Sequence, residues 1–165
     1  MKLSQGFAPV AAPDARVLIL GSMPGVASLD AAQYYAFPRN AFWKIMGELF
    51  GAGRELDYPS RLQILTANKI ALWDVVKTCH RPGSLDSAIS ADGMETNDFT
   101  GFFKQHRCIA KVYFNGQKAA GLFKKMVLPG LQGQYAYQTL PSTSPAHAAS
   151  SYTDKLEAWS VIRTR

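Results

Sequence analysis

The chain is 165 residues long and 47% hydrophobic, which suits one compact domain with its own core. Its 18 Lys and Arg outnumber 12 acids, giving a formal charge of +6 and a pI near 9.4. That balance favours a polyanionic partner such as nucleic acid, with a basic but unrelated enzyme as the alternative. Cys79 and Cys108 lack metal spacing and cannot supply the thiolates of an iron–sulfur cluster; they read as reduced thiols. The N-terminal apolar run is broken by Pro9 and Pro13, so no signal peptide is expected, and the longest aliphatic run, Val17–Leu20, is too short for a bilayer. A soluble, cytoplasmic protein without membrane attachment is the expectation.

Arg16–Gly21 is a continuous apolar run closed by Gly and Pro, as in a buried parallel strand. From Asn40 to Phe50 apolar residues recur at helical spacing, and Gly51 supplies a C-cap. Pro59 suits the first turn of a second helix, running to Asn68. Lys69–Val76 reads as the next strand. His80-Arg81-Pro82-Gly83-Ser84 and Asp92-Gly93 then mark a long functional loop. Asn97 is placed to cap a short helix carrying Phe99, Phe102 and Phe103. Ile109–Phe114 is a third strand, Gln117–Met126 a helix closed by Pro129-Gly130, and Tyr135–Leu140 a fourth strand. A final helix, Thr153–Ile162, turns Leu156, Trp159 and Ile162 inward. The alternation predicts a single three-layer α/β domain over 1–165, with a central, mainly parallel four-stranded sheet flanked by helices.

Ligands of such sheets sit at the carboxyl ends of the strands. Gly21-Ser22-Met23-Pro24-Gly25, Trp73-Asp74, Asn115-Gly116 and Leu140–His147 all fall there. The glycine-flanked first loop can present backbone N–H groups to a phosphate or a carbonyl, or serve as an ordinary strand-to-helix turn. Tyr34, Tyr35 and Phe37 precede a helix in a stretch made extended by Pro38, and offer stacking platforms for a base. Phe42 and Trp43 fit the core face of that helix. Asn40 is either its N-cap or a polar site group. Asn115 offers a donor and an acceptor to a base edge, or belongs to an Asn-Gly turn. Ser142, Thr143 and Ser144 lie between two prolines, with Ala146 and His147 following; the hydroxyls suit phosphate contact.

Rival chemistries find no support. There is no dinucleotide fingerprint, P-loop or Gly-x-Ser-x-Gly elbow, and His80, His106 and His147 form no metal set. Neither a cofactor nor a metal is expected.

Taken in order, Gly21–Gly25, Tyr35-x-x-Pro38-x-Asn40-x-Phe42-Trp43, Ala71-Leu72-Trp73-Asp74, Arg81-x-Gly83-Ser84-Leu85-Asp86, Asn115-Gly116 and Leu140–His147 resemble the uracil-DNA glycosylase superfamily. The resemblance runs from Arg16 to Trp159 and is closest to the hypoxanthine-DNA (deoxyinosine) glycosylase branch, related to mismatch-specific uracil/thymine enzymes. It implies a monofunctional enzyme that flips a deaminated base, hypoxanthine foremost, out of DNA and leaves an abasic site. Many superfamily members carry Asp, Asn or Glu in the first motif; here Met23 or Ser22 stands there. A catalytic histidine heads the last motif of some members, where this chain has Leu140. The bulky wedge of that motif is replaced by Pro145-Ala146-His147.

The resemblance moves the central polar role to Asn40. A neutral carboxamide is no base, but it can orient a water or donate to developing negative charge. Gly21, Ser22, Met23, Pro24, Tyr35, Phe37 and Asn115 are the expected base-binding residues. Ser142, Thr143, Ser144, Ala146 and His147 are the expected DNA contacts. DNA with deaminated bases is the expected partner of a monomeric enzyme. A mismatch-specific uracil/thymine glycosylase and an inactive DNA-binding relative are the alternatives.

Overall fold

The computed structural model describes residues 3–81, 84–85, 88–89 and 93–163. Along the first half run β1 (Leu3–Gln5), β2 (Val17–Gly21), α1 (Val26–Ala31), α2 (Phe42–Phe50), α3 (Tyr58–Ala67) and β3 (Ile70–Asp74). The second half holds β4 (Val76–His80), β5 (Glu95–Thr96), α4 (Phe99–Gln105), β6 (Lys111–Asn115), α5 (Gln117–Met126), β7 (Ala136–Leu140) and α6 (Tyr152–Trp159).

Every residue of β2 and β3 is buried, because both faces of the sheet are covered. Val17, Ile19, Ile70 and Leu72 face one core, closed by Phe42, Trp43, Ile45 and Met46 of α2 and by Leu65 of α3 and Trp159 of α6. Leu18, Leu20, Ala71 and Trp73 face the other, closed by Phe99, Phe102 and Phe103 of α4 and Phe123 of α5. The expected three-layer α/β arrangement is therefore present. The four main strands are all parallel, in the order β3-β2-β6-β7.

That order reverses direction at β2, placing the ligand crevice of the sheet between the carboxyl ends of β2 and β6. Register aligns those ends. Gly21 pairs with Asp74, Leu20 with Phe114, and Asn115 with Leu140. Four segments far apart in sequence thus end on one edge.

Three expectations need correction. The run Lys69–Val76 is not one strand: it breaks at Val75, and β4 leaves to form a small antiparallel sheet with β1 and β5. Val76 and Cys79 are buried while Lys77 is exposed, and the carboxyl end of β4 claims His80 from the expected loop. Gly83, Asp86 and Asp92 of that loop lie outside the described residues. Asn97 does not cap α4; Asp98 does, accepting from Gly101 N–H at 3.0 Å, while Asn97 Nδ2 donates to the Asp74 carbonyl at 2.7 Å. Among the described residues, no helix is long and apolar enough to cross a membrane.

Candidate functional site

The first loop is set by backbone pairing. The carbonyls of Gly21 and Ser22 accept the N–H groups of Val75 and Val76, at 2.9 and 3.0 Å. The buried Arg81 guanidinium donates to the Pro24 carbonyl, and Ser84 Oγ accepts the Val26 N–H at 2.7 Å. Met23 turns its side chain into the core, so only its backbone is placed to serve the loop's outer surface. The missing side chain of Gly21 defines the floor. A Cβ there would stand 2.5 Å from Asp74 Oδ1 and 3.0 Å from Tyr35 Oη. Gly21 is what lets this carboxylate and phenol converge at the strand ends.

The aromatic segment divides between two neighbours. Tyr34 is core, not platform: its hydroxyl donates to the Ala8 carbonyl at 2.9 Å, its N–H donates to Tyr58 Oη at 2.9 Å, and its carbonyl accepts from Trp43 Nε1 at 2.8 Å. Burial, with the negative charge of Asp74 adding to it, pushes the Tyr34 hydroxyl far above the ordinary phenol range. Tyr35 adopts a left-handed conformation, φ +56°, and its ring centroid lies 6.3 Å from that of Tyr34. One face of the Tyr35 ring stacks on Phe42, centroids 4.1 Å apart and planes 24° apart. Phe37 is 43% exposed and sits at the rim, not in a wall.

The turn holding Tyr35 and Phe37 is clamped from outside. Arg54 Nη2 donates to the carbonyls of Tyr35 and Phe37 at 3.0 and 2.7 Å, and Nη1 reaches that of Ala36 at 3.4 Å. One planar guanidinium thereby fixes a strained backbone segment. Nothing in the sequence near Gly51-Ala52-Gly53 marks Arg54 for that task.

Asn40 is half-buried beside the last loop. Its Oδ1 accepts the N–H of Phe42, the first residue of α2, at 2.9 Å, and its own N–H bonds the Phe37 carbonyl; the N-cap position itself is taken by Ala41. Its Nδ2 has no hydrogen-bond partner among the described residues. The N-cap reading of Asn40 is corrected by one position, and one end of its carboxamide is spent on the helix start while the other is left as a donor. The next residue, Ala41, donates its N–H to the Thr143 carbonyl at 3.0 Å, joining this segment to the last loop.

The last loop is assembled by side chains. Asn115 Oδ1 accepts the Thr143 N–H at 2.9 Å while its Nδ2 donates to Thr143 Oγ1 at 3.0 Å. Asn115 and Thr143 are both buried, and this pair of bonds braces the loop. Trp159 Nε1 donates to the Pro141 carbonyl at 2.8 Å. Ser142 Oγ accepts the Ser144 N–H, and Ser144 Oγ the Ala146 N–H, both at 3.2 Å, so each hydroxyl keeps a proton to donate outward. Ala146 is exposed and His147 half-buried on the same turn.

Lys155 completes the loop. It is 6% exposed, its Nζ donates to the Ser144 carbonyl at 3.2 Å, and burial holds its amine below the ordinary lysine range. The spacing Lys155–Trp159–Ile162 places it on the inward face of α6, a signal present in the sequence. Lys155 lines a cavity of about 770 Å³ that also touches Asn40, Lys44, Thr143 and Pro145.

Comparison with known proteins fits this geometry. The model of the Uracil DNA glycosylase superfamily matches residues 8–163. A protein of Methanosarcina acetivorans named Hypoxanthine DNA glycosylase is 36% identical over 163 residues, 98% of this chain and 99% of the relative. A protein of the same name from Methanosarcina barkeri is 40% identical over 116 residues, 70% of this chain and 72% of the relative. The solution NMR structure of a candidate uracil DNA glycosylase from Methanosarcina acetivorans superposes with a TM-score of 0.80 at 33% identity, covering 98% of this chain and 97% of that one.

Proposed function

The chain belongs to the uracil DNA glycosylase superfamily and acts as a DNA glycosylase, and on that premise we propose that the base it releases is hypoxanthine, extruded from DNA as deoxyinosine. Excision breaks the bond between C1′ of the sugar and N9 of the base. Water supplies a hydroxyl to C1′ and a proton to the departing base, leaving an abasic site. Positive charge gathers on the sugar and negative charge on the base as the bond stretches.

The observation that carries the reading is the convergence of Asp74, Tyr35 and Gly21 at the ends of the strands. In this reading the base stacks against Tyr35. Asp74 accepts from its Watson–Crick edge. Deamination of adenine turns N1 from a lone pair into an N–H. A carboxylate oxygen that accepts at that atom welcomes the N–H of hypoxanthine and repels the lone pair of adenine. Backbone groups of Gly21–Pro24 border the same edge.

Asn40 is the proposed catalytic residue. Its oxygen is committed to Phe42, so its Nδ2–H₂ would act, donating to the attacking water's oxygen or to charge developing on the base. Such a group suffices when departure runs ahead of attack. Ser142 and Ser144, with Ala146 and His147 on the same turn, would face the DNA backbone; Asn115 and Thr143 would hold that turn in place.

The test is a panel of duplexes carrying hypoxanthine, uracil, xanthine, a thymine mismatch or no lesion. Hypoxanthine should be released fastest, and Asn40→Ala should slow release at least 100-fold while still binding the duplex. Preferred release of uracil or mismatched thymine would assign the alternative specificity. Release of none would mean a binding-only protein, and full activity in Asn40→Ala would remove the amide from the mechanism.

A further inference from the structure

The cavity beside Asn40 is lined by residues other than the Tyr35, Gly21 and Asp74 that converge at the strand ends. Four cations line it, Arg39, Lys44, Arg54 and Lys155, against two carboxylates, Glu48 and Glu55. None of the six is ion-paired among the described residues, where the ion pair found is Lys69 with Asp14. Arg54 and Lys155 donate to backbone carbonyls, and Lys44 Nζ lies over the Tyr152 ring at 4.1 Å from its centroid. A hydrogen bond to a neutral carbonyl leaves the charge uncompensated. Tyr152 adds a second unmet demand, because its hydroxyl is buried and has no partner among the described residues.

We propose that this cavity is an anion site that seats a backbone phosphate of the DNA strand carrying the target nucleotide. The inference rests on the reading above, that the chain acts on DNA. A phosphodiester matches what the cavity offers: a buried ammonium, exposed cations and a hydroxyl with no partner among the described residues. A base does not match, because the one aromatic ring in the lining has its face taken by Lys44. The volume of about 770 Å³ accommodates a sugar–phosphate unit with its waters. The location fits too. The walls include Asn40 on one side and Thr143 and Pro145 on the other, so an anion held there lies between the proposed catalytic amide and the DNA-facing loop.

The test uses the full chain and a duplex with a tetrahydrofuran abasic analogue, which binds without turnover. Affinity is measured against salt, and again with single methylphosphonates replacing phosphates on either side of the analogue. Arg39→Gln and Lys44→Gln, both at exposed positions, should each lower the slope of log K against log salt by up to about 0.9, the value for one phosphate contact. Wild type should lose affinity at one particular methylphosphonate, and Lys44→Gln should be indifferent to that same linkage. Tyr152→Phe, which keeps the ring under Lys44, should weaken binding about tenfold. Unchanged slopes together with undiminished methylphosphonate sensitivity in Lys44→Gln would overturn the proposal. Hypoxanthine release by wild type is scored in parallel. Active enzyme with unchanged slopes loses only the phosphate site; altered slopes without base release keep the site and lose the proposed substrate.

Discussion

The two loops that frame the site are held in opposite ways. The first, 21–25, is gripped through its own main chain: the N–H groups of Val75 and Val76 donate to it, the Arg81 side chain donates to the Pro24 carbonyl, and Ser84 Oγ accepts from Val26 just beyond it. The last, 140–147, takes main-chain bonds from Ala41 and Gly116 but is fixed chiefly by side chains that arrive from elsewhere, Asn115 from β6 and Lys155 and Trp159 from α6. A main-chain framework tolerates changes of side-chain chemistry but not added bulk where a floor has been kept clear. A framework of single side chains fails one residue at a time. The variants that separate these cases divide accordingly.

Gly21→Ala should have the largest effect on catalysis. Its backbone conformation accepts alanine, but the new methyl drives the Asp74 carboxylate and the Tyr35 hydroxyl from their common meeting point. A displacement of about 1 Å in a reacting constellation costs on the order of 100-fold. Stability should change little, because both displaced groups are the far ends of side chains. Base-release assays beside urea unfolding check this, and a fully active variant would mean that the floor of the site lies elsewhere. Asn115→Ala should show the reverse balance. It strands the buried N–H and hydroxyl of Thr143, at a cost of about 1–3 kcal/mol in unfolding free energy, seen as a drop of several degrees in Tm. Its effect on excision should appear mainly as weakened DNA binding. Arg54→Met tests the turn between the two loops, where the three carbonyls lose their clamp and Tyr35 gains freedom. The rate of release should fall about tenfold with unfolding almost unchanged, and rescue by Arg54→Lys should be poor because an ammonium cannot span three acceptors.

The same contrast explains what the sequence discloses. β2, β3, β6 and β7 are readable because strands covered on both faces must be apolar runs, and their carboxyl ends were accordingly legible as the site's edge. β1 and β5 are not: Leu3–Gln5 and Glu95–Thr96 are short and polar, and become strands only through partners distant in sequence. Three asparagines show the limit more sharply. Asn40, Asn97 and Asn115 look alike at the level of residue type, yet one accepts the first N–H of α2, one ties to Asp74 and one braces Thr143. A carboxamide pairs with whatever backbone tertiary structure brings to it, and no local pattern records that. Lys155 could have been found from its spacing to Trp159, whereas Arg54 acts on residues 17–19 positions away in a turn of its own.

Tyr34 and Tyr35 give the smallest effect and the finest test, since two adjacent phenols are assigned to different compartments. The Tyr34 hydroxyl is buried on the Ala8 carbonyl with its ionisation pushed up from the ordinary value of 10. The folded protein therefore keeps that proton at pH values where the unfolded chain has released it. Native protein binds more protons there, so this contribution to stability is complete below pH 10 and is lost above it, by about 1.4 kcal/mol per pH unit. Tyr34→Phe removes the hydrogen bond, costing about 1 kcal/mol at neutral pH, and removes the titration as well. The stability gap to wild type should consequently narrow as urea unfolding is repeated from pH 8 to pH 11, all other tyrosines cancelling in the difference. Base release at pH 7.5 should be unaffected, as Tyr34 only fills core. Loss of release in Tyr34→Phe, with Tyr35→Phe still active, would reverse the assignment of the two residues and take the stacking platform away from the turn that Arg54 holds.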